Sequence, residues 1–293
     1  MHSIAMVGVN TYHAEAFTRI FNGGGGVEPR ITNARITHVW AGDHPERLAE
    51  LEAMLGSYDN IATSLDELID AVDGVLIIDD TDGGALHASL ARPFIEAGMP
   101  VFIDKPMTTD FADAVQLFEL AEEHSASLFS SSALRFPVEL DRDAVAALGK
   151  ISSIVSVGPE EWFYYGVHAV EVMGTITSDQ PESVHRFALP EKDVAVVTYD
   201  SGLVGVVMTL RDAGYIFEVS VYGENGAYSF RVDDGMGFYT NEMEAFVTMI
   251  ETRTPPITAA DTLNVLSILH AGNLSAEEGR TVQISEITGG QHE

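Results

Sequence analysis

Lysine is scarce in this chain: three of its 15 cationic residues are lysines, Lys105, Lys150 and Lys192. Lys105 follows the apolar run PVFID (100–104), so it stands between Asp104 and Pro106 at the carboxyl end of a strand. A strand-end lysine facing a crevice is partly desolvated, which lowers its pKa and opens acid–base work to it. Neutralising nearby acids such as Asp79 or Asp104 is its simpler use. His168 and Glu171 form a second pair in GVHAVEVMG (166–174), three residues apart and therefore on one helix face. An ordinary helix-packing role competes for His168, and as metal ligands the two lack a second cluster. Ser130, Ser131, Ser132 and Arg135 offer polar groups to a substrate, or hydrogen bonds to a linker.

The first strand-to-helix turn is a third constellation. A dinucleotide-binding domain carries G-x-G-x-x-G there, where backbone amides and a helix N-terminus approach a pyrophosphate. This chain has Gly8, Asn10 and His13 at those places, one glycine of three. Asn tolerates left-handed angles, so the turn still forms. Its side chain stands where a cofactor approaches, and His13, able to donate to a phosphate, crowds the helix–sheet contact. The motif alone leaves nucleotide binding and a bare structural turn both open. Asp43, in Ala41-Gly42-Asp43-His44, is placed to hold a ribose or to cap the helix before Pro45. A later run ends in DDTDGG (79–84), bringing Asp80 and Thr81 to the edge where open α/β sheets bind ligands, ahead of His87. Three acids there repel a pyrophosphate. A capped, solvated turn is the plain reading, and the spacing fits no EF-hand loop.

The elements that position these residues follow from hydrophobic pattern. SIAMVGV (3–9), ITHVWA (36–41), DGVLIID (73–79), PVFID (100–104) and SLFSS (127–131) read as buried strands alternating with amphipathic helices. Pro45 opens one helix, with Leu48, Leu51 and Leu55 on a face and Gly56 past its end. That alternation implies an α/β architecture, an N-terminal Rossmann-like, doubly wound parallel sheet over residues 1–132. Residues 133–293 change pattern: strands near 151–157, 193–199, 203–210 and 217–223, and helices near 139–148, 165–174, 240–252 and 260–274. This predicts an α+β domain with a largely antiparallel or mixed open sheet. Four glycines at 23–26 read as a flexible surface insertion.

Composition excludes whole classes of partner. The 293 residues carry 45 acids against 15 Lys and Arg, a formal net charge of −30 with a pI near 4.4. Phosphate contacts need cations this surface lacks, so nucleic acid and anionic membranes are excluded as partners. Acids spread along the whole chain suit a surface adapted to high ionic strength, where a Debye length of about 3 Å at 1 M salt screens self-repulsion. The absence of cysteine removes disulfides, thiolate metal sites and cysteine nucleophiles. No apolar run approaches a membrane span, and MHSIAMVGVN lacks a basic leader region, so a cytoplasmic location is expected.

The stretch 72–107, with its Asp104-Lys105-Pro106 ending, resembles the Gfo/Idh/MocA oxidoreductases, named after glucose–fructose oxidoreductase and inositol dehydrogenase. GVHAVEVMG is similar to that family's substrate-domain helix, and the likeness runs over essentially the full length. The resemblance implies hydride transfer between NAD or NADP and a hydroxyl-bearing carbon of a sugar, polyol or related small molecule. It implies that Lys105 stabilises the developing alkoxide and that His168 carries the hydroxyl proton, work suited to an imidazole. It places Asp104, Pro106 and the residues of the three strand-end loops, including Asp80, Thr81 and His87, beside the cofactor. Arg135, Tyr165 and Glu171 fall on the substrate side, and an open sheet implies a homo-oligomer, a dimer or tetramer. The family often has an Asp four residues before the catalytic His; here it is Tyr164, a phenol uncharged at pH 7. Trp162, Phe163, Tyr164 and Tyr165 either stack on a sugar face or pack in the core. A non-redox binding or regulatory protein of the same fold, and a lyase using NAD transiently, are the other readings.

Overall fold

Apolar runs without polar alternation bury both faces of a strand. The computed structural model, which describes residues 1–289, gathers them in one sheet. Its strands are β1 (His2–Val7), β2 (Ala34–Trp40), β3 (Asn60–Ile61), β4 (Gly74–Ile77), β5 (Val101–Ile103) and β6 (Leu128–Ser130). They pair in parallel throughout, in the order β3-β2-β1-β4-β5-β6. β4, β5 and β6 are buried at every residue. Strand order reverses between β1 and β4, which puts the fold's ligand crevice at the carboxyl ends of those two strands.

Helices α1 (Tyr12–Asn22), α2 (Pro45–Leu55), α3 (His87–Glu96) and α4 (Phe111–Glu123) follow β1, β2, β4 and β5. Side chains set their starts. Thr11 Oγ1 accepts from His13 N at 3.3 Å, and Asp110 Oδ1 accepts from Ala112 N at 2.8 Å. Of the glycines at 23–26, Gly23 and Gly24 are not a free insertion. A Cβ on Gly24 would meet the Leu55 carbonyl oxygen at 2.3 Å, so this part of the loop is packed against the end of α2.

The chain forms two compact units that exchange a segment. The first comprises Met1–Ser131 with Tyr239–Ala259; the second comprises Ser132–Phe238 with the described residues from Ala260 onward. The exchanged segment is most of α7 (Gly235–Thr252). Its Phe246 and Ile250 lie where a Cβ on Gly74 would stand, at 3.0 and 2.8 Å, which explains why β4 starts on glycine. Phe102 contacts Phe129 and Phe246 with ring centroids 5.1 and 6.4 Å apart. Each of these buried rings contributes about 1.5–3 kcal/mol of transfer free energy.

In the second unit, β7 (Ile151–Pro159), β8 (Pro181–Leu189), β9 (Lys192–Tyr199), β10 (Val204–Leu210), β11 (Glu218–Gly223), β12 (Gly226–Arg231) and β13 (Val282–Gln283) form one sheet. Its order is β12-β11-β7-β10-β9-β8-β13. The sheet is mixed, because β7 and β10 run parallel while the other pairs are antiparallel. β9 and β10 alternate buried and part-exposed residues, so one face is core and the other open. On the core face α6 (Trp162–Met173) packs against β7 and β10. Trp162 anchors α6 to α8 (Ala259–Glu278): its Nε1 donates to the Leu269 carbonyl at 3.0 Å, and its ring fills the space a Cβ on Gly272 would need. Short helices α5 (Arg142–Ala146) and α9 (Ile284–Thr288) complete the unit.

Candidate active site

In the first unit, β5 is followed by Asp104, Lys105 and Pro106, the last joined by a cis peptide. Asp104 is 7% exposed and Lys105 6%, so the strand carries both charges into a nearly dry environment. Asp104 Oδ1 accepts from the Lys105 backbone N–H at 2.8 Å, and Oδ2 lies 2.5 Å from His13 Nδ1. Burial alone would push this carboxyl upward, but the charges of His13, Lys105 and His87, with the His13 hydrogen bond, hold it down at about 2. Asp104 is therefore a fixed anion, held chiefly by His13.

His13, in the first turn of α1, also reaches the Tyr239 hydroxyl with Nε2 at 2.9 Å. Both ring nitrogens are thus committed to protein. Asn10 is likewise turned onto its own unit: Nδ2 donates to Thr81 Oγ1 at 3.1 Å, and Oδ1 accepts from Asp80 N at 2.9 Å. This bridge ties the carboxyl ends of β1 and β4 together. Gly8, at φ 96°, is required by the chain itself, since a Cβ there would stand 2.5 Å from the Asp79 backbone.

The acidic loop 79–84 divides by burial. Asp79 is 3% exposed and accepts from Thr81 N at 3.0 Å, a capped but buried turn, whereas Asp82 is exposed. Among the described residues no cluster of three or more metal-ligating side chains occurs. His87, 2% exposed, lies with Nδ1 3.0 Å from the Pro106 carbonyl oxygen, so it braces the loop after Lys105. Asp43 does not cap α2. His44 holds the cap position, and Asp43 stands exposed just past the end of β2.

These residues fit a dinucleotide. An exposed carboxylate at the end of β2 matches a ribose diol, and the first turn of α1 supplies N–H groups that helix geometry leaves without intrahelical acceptors. The side chains of Asn10 and His13, bonded to protein, do not replace those backbone donors.

In the second unit a single 3-10 turn, Ala133–Arg135, meets α6 through two side chains. Its cap residue Ser132, fully buried, places Oγ 2.6 Å from His168 Nδ1, and Arg135 Nε donates to Glu171 Oε2 at 2.7 Å. Spacing of three on both elements makes these two rungs of one contact. Burial pushes the Glu171 carboxyl upward against the pull of Arg135 and of the Ser132 backbone N–H. Arg135 and Glu171 are thus each other's partners. The guanidinium also lies over Gly174, on the wall of a shallow cleft that includes Asp179, Tyr199 and Asn264.

The aromatic run before His168 splits. Trp162 goes to the core and Phe163 packs edge-on to His270 at 5.1 Å. Tyr165 contacts His168 at 5.6 Å, Tyr164 at 5.6 Å and Tyr215 at 6.2 Å. Phe217, the residue before β11, stands edge-on to His168 at 5.5 Å. Burial, then Tyr165, raises the Tyr215 phenol to about 12. Sequence reasoning missed Tyr215, Phe217, Tyr239 and the bond from Ser132 to His168, all joined only by tertiary structure. The serine run at 130–132 was the one available signal. The candidate residues therefore fall into two groups, Gly8, Asn10, His13, Asp43, Asp80, Thr81, His87, Asp104, Lys105 and Pro106 in the first unit, and Arg135, Tyr164, Tyr165, His168 and Glu171 in the second.

Comparison with known proteins follows the same lines. Residues 2–132 match the model of the GFO_IDH_MocA oxidoreductase family, NAD-binding Rossmann fold. Myo-inositol 2-dehydrogenase of Thermotoga maritima is 22% identical, over 83% of this chain and 90% of its own. A probable dehydrogenase from Thermotoga maritima superposes with a TM-score of 0.83 at 20% identity, covering 97% of this chain and 99% of the other. Scyllo-inositol dehydrogenase from Lactobacillus casei, with bound NAD(H) and scyllo-inositol, gives 0.82 at 18% identity, covering 97% and 99%. No helix among the described residues is long and apolar enough to cross a membrane. Residues 2–132 are thus similar to the NAD-binding Rossmann domain of the Gfo/Idh/MocA oxidoreductases, and the parallel six-stranded sheet with its mixed second sheet has the fold of the dehydrogenases it superposes on.

Proposed function

We propose that this protein oxidises or reduces a hydroxyl-bearing carbon of a cyclic polyol or related sugar, using NAD or NADP. The observation that carries this reading is the burial of two adjacent ionisable residues, Asp104 and Lys105, just past β5 at the ligand edge of the sheet, with Asp104 held as an anion. The bound nicotinamide supplies a two-electron hydride acceptor or donor. The remaining work belongs to the chain. Lys105 hydrogen-bonds the reacting oxygen and stabilises its developing negative charge, a term worth about 3–4 kcal/mol when a single donor is removed. His168 exchanges the hydroxyl proton. Tyr165 lends an apolar ring face to the C–H side of the substrate, and Tyr164 is a neutral hydrogen-bonding group beside it. Asp43 would hold the adenosine ribose, and the first-turn amides of α1 other than His13 N–H, which Thr11 caps, would hold the pyrophosphate.

In this assignment residues 1–132 bind the dinucleotide and residues 133–293 hold substrate and the contacts between copies. The open face of the second sheet supports a homo-oligomer. Val155 and Val196 flank Val206, and Val157 and Val194 flank Met208, giving a contiguous part-exposed apolar stripe on a chain of charge −30. We assign the acidic surface to a high-salt cytoplasm. The test is turnover: in 1–3 M KCl the protein reduces NAD or NADP with a panel of inositols and cyclic sugars, and His168→Gln removes that activity. No turnover with either cofactor across the panel contradicts the assignment.

A further inference from the structure

Pro106 directly follows the lysine that meets the reacting oxygen in the proposed function. Proline has no N–H, so its carbonyl is the one backbone group by which that residue can be tied down. His87 ties it, with Nδ1 3.0 Å from the Pro106 oxygen. A carbonyl can only accept, so Nδ1 carries the hydrogen and donates it. The neutral ring then has its bare lone pair on Nε2, which is buried and finds no hydrogen-bond partner among the described residues. With Nδ1 spent and Nε2 enclosed, the ring of a residue 2% exposed has no polar atom to offer a cofactor.

Both ends of this bond are fixed. His87 opens α3, and its backbone N–H donates to the Gly84 carbonyl at 3.1 Å. Gly84 leaves the ring its place, since a Cβ there would stand 2.8 Å from Cε1 and 2.9 Å from Nδ1. Past β5, the Asp104 backbone N–H donates to the Ile77 carbonyl at 2.9 Å, and the Lys105 N–H to Asp104 Oδ1 at 2.8 Å. The backbone of Lys105 is therefore held on one side by Asp104 and, one residue further on, by His87.

We propose that His87 is a positioning residue for Lys105: its Nδ1–H, acting through the Pro106 carbonyl, fixes the peptide unit from which the lysine side chain projects. The inference rests on the proposed function, in which Lys105 meets the reacting oxygen. It replaces the cofactor contact that the family resemblance implies for His87. Two substitutions separate the ring nitrogens, because His87→Asn puts an amide N–H where Nδ1 stands and His87→Gln puts one where Nε2 stands.

The chain's three lysines make the test direct, because lysine-selective carbon-13 labelling gives one set of side-chain signals for each. Spectra are taken on the whole protein in molar KCl without cofactor, with Lys105 assigned from Lys105→Met. His87→Leu and His87→Gln should move the Lys105 signal, and His87→Asn should leave it at the wild-type position. Lys150 and Lys192 should stay in place in all three. In turnover, His87→Leu and His87→Gln should lower kcat roughly ten- to hundredfold, the cost of misplacing a catalytic group by about 1 Å, while His87→Asn keeps it. The NADH dissociation constant should not change in any of them. A Lys105 signal unmoved by His87→Leu overturns the proposal, as does a His87→Gln protein indistinguishable from His87→Asn. Weaker NADH binding at unchanged kcat also overturns it, by making the ring a cofactor contact. If His87→Leu does not fold, the comparison of His87→Asn with His87→Gln decides. A wild-type nitrogen-15 spectrum showing His87 protonated at Nε2 alone overturns it without any variant. Because the lysine signals are read without cofactor or substrate, failure of the oxidoreductase reading registers separately, as absent turnover.

Discussion

His13 and Asp104 stand 91 positions apart in sequence and 2.5 Å apart in the structure, Nδ1 against Oδ2. The contact joins the first turn of α1 to the end of β5, and it occupies the place where a dinucleotide-binding turn usually has its third glycine. His13 thereby balances the buried carboxylate next to Lys105, while Nε2 extends the chain of bonds to Tyr239 in α7.

This pair makes stability depend on acid in a defined window. The Asp104 carboxyl falls from 3.8 to about 2 on folding, so its contribution is complete above pH 4 and disappears as pH falls through about 2. Urea midpoints between pH 5 and pH 2 should drop more steeply for wild type than for Asp104→Asn. Parallel curves would show that the pair does not stabilise the fold. His13→Ala, which leaves the buried anion short of its partner, should cost about 3–5 kcal/mol at neutral pH.

Lys105→Met keeps the stem and removes the charge. Turnover should fall at least a hundredfold, as when a single oxyanion donor is lost. Circular dichroism should be unchanged. Equal kcat in the variant would remove Lys105 from the chemistry.

Asp43 predicts cofactor choice. An exposed carboxylate past β2 suits a ribose diol and repels a 2′-phosphate, so NAD(H) should bind more tightly than NADP(H). Asp43→Ala should weaken NAD(H) by about ten- to hundredfold, the value of a hydrogen bond to a charged group. An unchanged ratio of the two dissociation constants would place the ribose elsewhere.

The open sheet predicts assembly. Val206→Glu or Met208→Glu should lower the mass measured by light scattering to that of a single chain, and leave the helical spectrum intact. A wild-type protein of about 32 kDa in solution would itself rule out the oligomer.

Much of the fold was legible because its strands are apolar without interruption: β4, β5 and β6 follow directly from GVLI, VFI and LFS. β8 was not legible, because Arg186 interrupts its pattern. That guanidinium is neutralised by Asp193 of β9 at 2.7 Å and lies over Trp162, a stacking partner no local window contains. β12 carried a usable signal in Asn225 and Gly226: the two-residue loop Glu224-Asn225 joins β11 to β12, with Gly223 paired to Gly226. At the site, Lys105 and His168 stood out by type and position. The bonds of His13 to Asp104, next to Lys105, and of Ser132 to His168 became visible only when residues distant in sequence were brought into contact.

The most direct test of the central claim is equilibrium titration of the wild-type protein with NADH and NADPH in 2 M KCl, followed by nicotinamide fluorescence. Saturable binding with a dissociation constant below a millimolar, tighter for NADH, is the predicted result. No binding of either dinucleotide up to millimolar concentration would contradict the assignment of this chain as a working oxidoreductase.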